Sequence, residues 1–145
     1  AYGVAAAAVS VDAARARGFE VFQESPVEHL ARLAGGSLGG ALALQVAEHL
    51  SPGGVEQLCR EAARALKPGG LLVIETPNPV SATGQERWLR DPTHRWAIHP
   101  DTLRFIAGKA GFERMRVGFI GGDKTSKGAP DYALVARRPA GAAAG

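Results

Sequence analysis

Residues 66–79, with the sequence LKPGGLLVIETPNP, constrain the fold more than any other stretch of the chain. The apolar run at 71–74 is continuous rather than alternating, which is typical of a strand buried on both faces in a parallel α/β sheet. Residues 67–70 (KPGG) are expected to end a helix and reverse the chain, with a positive φ at Gly69 or Gly70. Because such sheets bind ligands at the carboxyl ends of their strands, we expect residues 75–79 to border a crevice.

Elements on both sides of this segment alternate between strand and helix. Apolar residues preceding it recur with helical spacing and end with Cys59, Ala62 and Leu66. The pattern predicts α/β crossovers and a mostly parallel sheet that closes with a C-terminal antiparallel hairpin. The predicted strands are 1–4, 19–23, 40–45, 71–74, 114–120 and 132–137, and the predicted helices are 11–17 after Ser10, 26–34 after Ser25, a helix after residues 51–54, and 103–110.

Length and composition limit the possible classes of protein. A chain of 145 residues with 46% hydrophobic content is long enough for one domain, which we place at 1–137 with a disordered tail at 138–145. The net charge of +3 is spread without basic blocks, so no nucleic-acid partner is expected. We expect no membrane span, because no apolar run is long enough, and the single Cys59 suggests a reducing, cytoplasmic location.

Several short motifs occur in a characteristic order. They are QVAEHL at 45–50, KPGG at 67–70, ETPNP at 75–79, DPTHR at 91–95, HPDTL at 99–103 and AGF at 110–112. In this order and spacing they resemble class I S-adenosylmethionine (SAM)-dependent methyltransferases, in the branch that includes ubiquinone-biosynthesis and saccharide-modifying enzymes. The resemblance covers nearly all of 2–137 and implies a three-layer, Rossmann-like α/β fold with SAM as the cofactor.

The chain also departs from the pattern of that family. It begins at what resembles the family's second strand, so the first strand and its glycine-rich cofactor loop are expected to be missing. Three positions where the family has cofactor-binding or neighbouring carboxylates align with Ala5, Ser25 and Gly39. Each lost hydrogen-bond partner costs about 1–3 kcal/mol. We therefore expect the chain alone not to bind SAM, and the sheet to have a vacancy between strands 1–4 and 40–45.

The resemblance nevertheless suggests site residues. We predict His49 and His94 as catalytic bases, Glu24, Gln45 and Glu48 as cofactor-binding residues, and Asn78, Arg95 and Trp96 as substrate-binding residues. His49, His94 and His99 have the chemistry to share a metal ion, but structural roles for them are favoured, so no metal is predicted. His29 is expected on the polar surface of its helix.

Two functional hypotheses follow from these features. In the first, the chain is a degenerate or truncated methyltransferase-type domain that acts as a binding or scaffolding module, with a protein partner or a second copy of itself. In the second, it is an active SAM-dependent methyltransferase of a small-molecule or saccharide hydroxyl, with its cofactor loop outside this sequence.

Overall fold

The structure is a computed structural model and describes residues 1–141. Its strands are β1 (Gly3–Ala5), β2 (Val21–Gln23), β3 (Leu38–Leu44), β4 (Leu66–Pro77), β5 (Glu113–Ile120) and β6 (Asp131–Arg137). Its helices are α1 (Ala8–Ala16), α2 (Pro26–Arg32), α3 (Pro52–Ala65), α4 (Ala82–Arg90) and α5 (Pro100–Lys109). A short 3-10 turn, Ala47–His49, follows β3.

The strands form two hydrogen-bonded sheets, and the larger one is mixed. Its order is β3-β4-β6-β5, while β1 and β2 pair in a separate two-stranded sheet. β1/β2 and β3/β4 are parallel, whereas β4/β6 and β5/β6 are antiparallel. The predicted closing antiparallel pair is confirmed, but the prediction of a mostly parallel sheet is wrong. The reason is that β6 enters between β4 and β5 and makes both of its pairings antiparallel.

The two faces of the larger sheet differ in their exposure. Leu72, Ile74 and Leu134 point into the core, where they belong to one buried cluster with residues of α3 and α5. On the opposite face Leu42 is 70% exposed and Leu44 is 51% exposed. Within residues 1–141, β3 has no hydrogen-bonded neighbour on the side away from β4. The predicted vacancy beside β3 stays a prediction, and this open apolar edge is consistent with it.

Helix α3 follows its sequence pattern closely. Ser51 caps it, with Oγ accepting from the Gly54 N–H at 3.1 Å. The predicted apolar stripe, which includes Cys59, is buried along its whole length. Burial raises the pKa of the Cys59 thiol to about 12, so this thiol is a packing residue. No described helix combines the length and apolarity that a bilayer crossing needs.

Other helical expectations needed correction. α1 begins at Ala8 without a side-chain cap rather than after Ser10. The segment 80–100, where no helix is predicted, contains α4, capped by Ser81. His29 is buried, not exposed on the surface, because its ring nitrogens contact Tyr2 Oη at 2.7 Å and Glu24 Oε1 at 2.6 Å. Tyr2 directly precedes β1 and Glu24 directly follows β2, and the helical periodicity of α2 does not reveal either neighbour.

The KPGG segment forms the start of β4 rather than an isolated turn. Leu66 already pairs with Leu38, and the Gly69 N–H donates to the Arg138 carbonyl at 3.0 Å. The domain boundary after residue 137 stays a prediction, and residues 142–145 of the predicted disordered tail lie outside the described residues. Gly69 has a φ of +79°, which confirms the expected positive φ. Gly70 is needed for space, because a Cβ there would lie 2.9 Å from the Lys67 carbonyl oxygen.

Gly69→Val should destabilise the protein whether or not it has an activity. A β-branched residue at this positive φ is strained by about 1–3 kcal/mol. The expected result is a lower midpoint in chemical denaturation at an unchanged slope. Gly39→Val is the matched control, because Gly39 lies in neighbouring β3 with nothing within 4 Å of its Cβ position. Equal stability of the two variants would show that Gly69 does not carry the strain.

Candidate active site

The candidate site is built where β3 ends. Gln45, the residue after β3, has a φ of +55°, which is uncommon for a residue other than glycine. Its N–H donates to the Glu75 carbonyl at 2.9 Å, so it stays attached to β4 while the chain turns. The 3-10 turn Ala47–His49 follows directly. This turn places Glu48 and His49 at the carboxyl end of the sheet.

Glu48 is fully buried, and only one of its two carboxyl oxygens has a hydrogen-bond partner. Its Oε2 accepts from the Thr76 hydroxyl at 2.9 Å, and its backbone oxygen accepts from the N–H groups of Arg95 and Trp96 at 2.7 and 3.2 Å. Its other carboxyl oxygen, Oε1, is buried without any hydrogen-bond partner. Burial raises the pKa of the Glu48 carboxyl, and the Thr76 hydrogen bond opposes that shift. A buried, half-satisfied carboxyl group is costly and marks a candidate functional residue.

Two imidazoles face the unpaired oxygen of Glu48. His49 Nε2 and His94 Nε2 each lie 4.0 Å from Glu48 Oε1. The two imidazole rings are 4.8 Å apart between centroids. One donor atom from each of the three residues fits within a set whose members all lie within 4.8 Å of one another. Residues 45 positions apart in sequence are therefore brought into one cluster, which we call the Glu48–His49–His94 cluster.

Residues 88–93 support this cluster from one side. The Trp88 carbonyl lies 2.8 Å from His94 Nδ1, and Thr93 Oγ1 lies 3.0 Å from His49 Nδ1. Trp88 Nε1 is also buried without a partner, and its ring lies 5.8 Å from that of His94. Among the described residues, Glu48 Oε1 and Trp88 Nε1 are the buried side-chain atoms left unpaired. Both belong to residues that neighbour the His94 ring.

Asp91 stands at the rim of the cluster. Its Oδ1 accepts from the Thr93 hydroxyl at 2.6 Å and from the Thr93 N–H at 2.8 Å, and these bonds lower the pKa of Asp91. Its Oδ2 lies 3.6 Å from His94 Nε2. The loop that carries His94 is thus shaped by an aspartate turn typical of Asp-x-Thr sequences.

The predicted cofactor-binding residues lie in separate places. Only Glu48 joins the cluster, whereas the amide of Gln45 donates to Glu75 Oε1 at 3.1 Å and to Asp131 Oδ1 at 3.3 Å. Glu24, after β2, is paired with Arg32 through Oε2 and with His29 through Oε1. The His29 hydrogen bond is the main cause of the lowered pKa of Glu24.

The predicted substrate-binding residues also differ in their surroundings. Asn78 is fully buried, and its side chain bonds three backbone groups of the protein. Trp96 packs against the core, and the Arg95 side chain is exposed. His99 caps α5 by accepting from the Asp101 N–H at 3.1 Å. Substrate contacts by Asn78, Arg95 and Trp96 stay predictions.

Sequence reasoning missed the residues that support the cluster. Thr76, Trp88, Asp91 and Thr93 hold the carboxyl and imidazole groups, yet none is among the predicted catalytic, cofactor-binding or substrate-binding residues, although Thr76 lies in the segment expected to border a crevice. The Asp-Pro-Thr-His sequence at 91–94 carried a local signal, because aspartate followed by threonine favours such a turn. A shallow depression of about 640 Å³, lined by Phe105, Gly108 and Met115 among others, lies elsewhere and does not include cluster residues.

Known proteins share this fold and its sequence pattern. A SAM-dependent methyltransferase from Archaeoglobus fulgidus is 25% identical, with a TM-score of 0.84 over 94% of this chain and 75% of that chain. A SAM-dependent methyltransferase from Thermotoga maritima, titled a possible histamine N-methyltransferase, is 19% identical, with a TM-score of 0.73 over 94% of this chain and 82% of that chain. These likenesses support the α/β methyltransferase fold.

Sequence comparison gives the family. The ubiquinone biosynthesis O-methyltransferase of Caulobacter sp. (strain K31) is 31% identical in an alignment of 106 residues that covers 64% of this chain. The chain spans 41% of the length of that curated relative. The family described as "Methyltransferase domain" matches residues 1–74, about half of the chain. By sequence and by fold, the chain belongs to the methyltransferase domain family.

Proposed function

We propose that this chain is a methyltransferase-type domain that binds a small hydroxyl-bearing molecule at the Glu48–His49–His94 cluster and does not hold SAM by itself. The observation that carries the proposal is the buried Glu48 Oε1, unpaired and faced by two imidazole nitrogens. A hydroxyl group placed among these atoms can donate its hydrogen to an imidazole Nε2, the role of a general base. The O-methyltransferase name of the Caulobacter relative supports a hydroxyl as the acceptor group.

The cofactor side of the domain does not fit SAM. The strand β1 ends in Ala5, which offers no carboxylate to a ribose hydroxyl. Glu24, after β2, already uses its two oxygens on His29 and Arg32. Ser25 Oγ accepts from the Glu28 N–H, as the cap of α2. Donors of the ribose and adenine would be desolvated without free acceptors, at about 1–3 kcal/mol for each.

Calorimetric titration of residues 1–145 with SAM should give no saturable heat at physiological cofactor concentrations. Two or three lost partners reduce affinity by several powers of ten, because every 1.4 kcal/mol is a factor of ten. The melting temperature should likewise not rise with added SAM. The demethylated product, S-adenosylhomocysteine, serves as a second ligand of the same shape. Micromolar binding of either compound would overturn the proposal for the cofactor side.

The alternative is an active enzyme whose cofactor loop lies outside residues 1–145. SAM would then be its cofactor and a small molecule or saccharide its substrate. The intact mass of the natural protein distinguishes the cases, since additional N-terminal mass favours the enzyme. In a methyl-transfer assay of that longer protein, His94→Ala should lower the rate about 10²–10⁴-fold. His99→Asn is the matched control, because His99 lies in the same segment but only caps α5.

A scaffolding role is the second candidate, and the open edge of β3 favours it. Leu42 and Leu44 on this strand are 70% and 51% exposed, and exposed edges invite pairing with another strand. The partner we propose is a second copy of the chain. Sedimentation should then show a dimer that Leu42→Lys disrupts, whereas a monodisperse monomer would contradict this role. A cytoplasmic location remains a prediction.

A further inference from the structure

We propose that Glu48, His49 and His94 bind one divalent first-row transition-metal ion, for which Zn²⁺ is the best match. The sequence favoured structural roles for the histidines and no metal. The three-dimensional arrangement leads to a different inference, because it adds a buried carboxylate to two histidines and excludes His99. Binding of the ion does not depend on the proposed function. Only its role in activating a bound hydroxyl rests on that proposal.

Hydrogen bonds fix which nitrogen of His94 carries the proton. Its Nδ1 lies 2.8 Å from the Trp88 carbonyl oxygen, which only accepts. Nδ1 must therefore donate, and in the neutral ring Nε2 is left with a lone pair. That lone pair belongs to the nitrogen 4.0 Å from Glu48 Oε1.

The same logic applies to His49. The Thr93 hydroxyl donates its single hydrogen to Asp91 Oδ1 at 2.6 Å. Thr93 Oγ1 must therefore accept from His49 Nδ1, which lies 3.0 Å away. The Nε2 of the neutral ring again has the free lone pair, at 4.0 Å from Glu48 Oε1. Metal-binding histidines are held in this way, with one nitrogen donating to a protein acceptor and the other facing the ion.

The distances suit an ion better than direct hydrogen bonds. A separation of 4.0 Å is too long for a hydrogen bond between Nε2 and Oε1. In tetrahedral geometry, zinc bonds of about 2.0–2.2 Å place two ligand atoms about 3.3–3.6 Å apart. The ligand atoms of the cluster all lie within 4.8 Å of one another, so side-chain movements of about 1 Å bring them to these separations.

The charges around the cluster favour a cation. Glu48 Oε1 is buried and unpaired, and Asp91 Oδ2 lies 3.6 Å from His94 Nε2. Within residues 1–141, the ion pairs of Glu48 involve only His49 and His94, and no Lys or Arg nitrogen. Two imidazoles and one carboxylate are typical ligands of Zn²⁺, Mn²⁺, Co²⁺ and Fe²⁺, whereas Mg²⁺ prefers oxygen ligands.

The site is open on one side. The Glu48 and His94 side chains are 1% and 7% exposed, whereas that of His49 is 36% exposed. Three protein ligands leave at least one position for water or a substrate oxygen. An ion there would lower the pKa of a bound hydroxyl, which deepens the role proposed for the cluster.

The test is calorimetric titration of the metal-free chain with Zn²⁺, and separately with Mn²⁺ and Mg²⁺. We expect one Zn²⁺ per chain with micromolar or tighter affinity and much weaker binding of Mg²⁺. Glu48→Gln and His49→Ala remove a ligand and should each weaken Zn²⁺ binding by at least the roughly 10–100-fold that loss of an outer-shell partner costs. His99→Asn should leave the affinity unchanged. Co²⁺ in place of Zn²⁺ should give visible absorption that Glu48→Gln abolishes.

The possible outcomes are distinct. Circular dichroism of each variant shows whether it folds, and His49→Ala is informative even if Glu48→Gln does not fold, since His49 is partly exposed. Absence of saturable Zn²⁺ and Mn²⁺ binding would overturn the inference, as would wild-type affinity in a folded Glu48→Gln or His49→Ala variant. Neither result affects the SAM titration, and SAM binding would not affect the Zn²⁺ titration. Each of the two proposals can therefore be contradicted without the other.

Discussion

Gly84→Ala should unfold the protein more readily than any other single-methyl change considered. A Cβ at Gly84 would lie 1.9 Å from the Asn78 carbonyl oxygen and 2.8 Å from the Pro130 carbonyl oxygen. Both obstacles are backbone atoms, so relief requires movement of α4 or of the strand ends. We expect the free energy of unfolding to fall by about 3 kcal/mol or more. The melting temperature should fall by roughly 6–12 °C.

Gly53→Ala is the matched control for Gly84→Ala. Gly53 also lies in a helix, near the start of α3, but nothing lies within 4 Å of its Cβ position. Alanine is favoured over glycine in helices by up to about 1 kcal/mol, so this variant should be neutral or slightly stabilised. If both variants melt alike, the close approach of α4 to Asn78 is not a feature of the protein in solution.

Asn78→Leu should also be strongly destabilising, because one buried side chain joins residues 78–80 to residues 126–129. Its Nδ2 donates to the Ser126 and Ala129 carbonyls, both at 2.9 Å, and its Oδ1 accepts from the Val80 N–H at 3.1 Å. Leucine makes none of these bonds and leaves the backbone groups unpaired. At about 1–3 kcal/mol for each buried group, the total loss should be roughly 3–5 kcal/mol. Urea denaturation monitored by far-UV circular dichroism measures it.

Gln85→Leu provides the comparison for Asn78→Leu. The Gln85 amide donates to the Pro79 carbonyl at 2.8 Å in the same region, but it is exposed, so water can replace the lost bond. Its stability should change by less than about 0.5 kcal/mol. If the Asn78→Leu variant is as stable as Gln85→Leu, the structural role of Asn78 is contradicted. Its predicted contact with substrate would then be favoured.

The junction tested by these variants also supports the candidate site. Gly84 and Asn78 fix the start of α4, and α4 carries Trp88, whose carbonyl binds His94 Nδ1. A displacement of α4 would therefore misplace His94, although no residue of the Glu48–His49–His94 cluster is substituted. For this reason, metal binding by Gly84→Ala should be weaker than by Gly53→Ala even where both proteins are folded.

Local features of the fold could be predicted from the sequence. The buried stripe of α3, the cap Ser25 and a positive φ at one glycine of the KPGG segment all agree with the structure. Each depends on atoms within about four residues along the chain, where spacing and residue type are sufficient. The same approach missed α4, because Trp88 and Leu89 are its only large apolar residues, too few to reveal a buried helical stripe.

The sequence by itself determined the alternation of strands and helices, the turn chemistry around β4 and the family to which the chain belongs. Only the tertiary structure decided that β6 lies between β4 and β5, which makes the sheet mixed. It also decided that His94, rather than His99, meets Glu48 and His49. These contacts join residues more than forty positions apart, and they depend on strand order and on the path of residues 91–96 over the 3-10 turn. Sequence spacing does not predict that residues 91–96 pass over the 3-10 turn. That path is fixed by packing and by hydrogen bonds such as that from the Arg95 N–H to the Glu48 carbonyl.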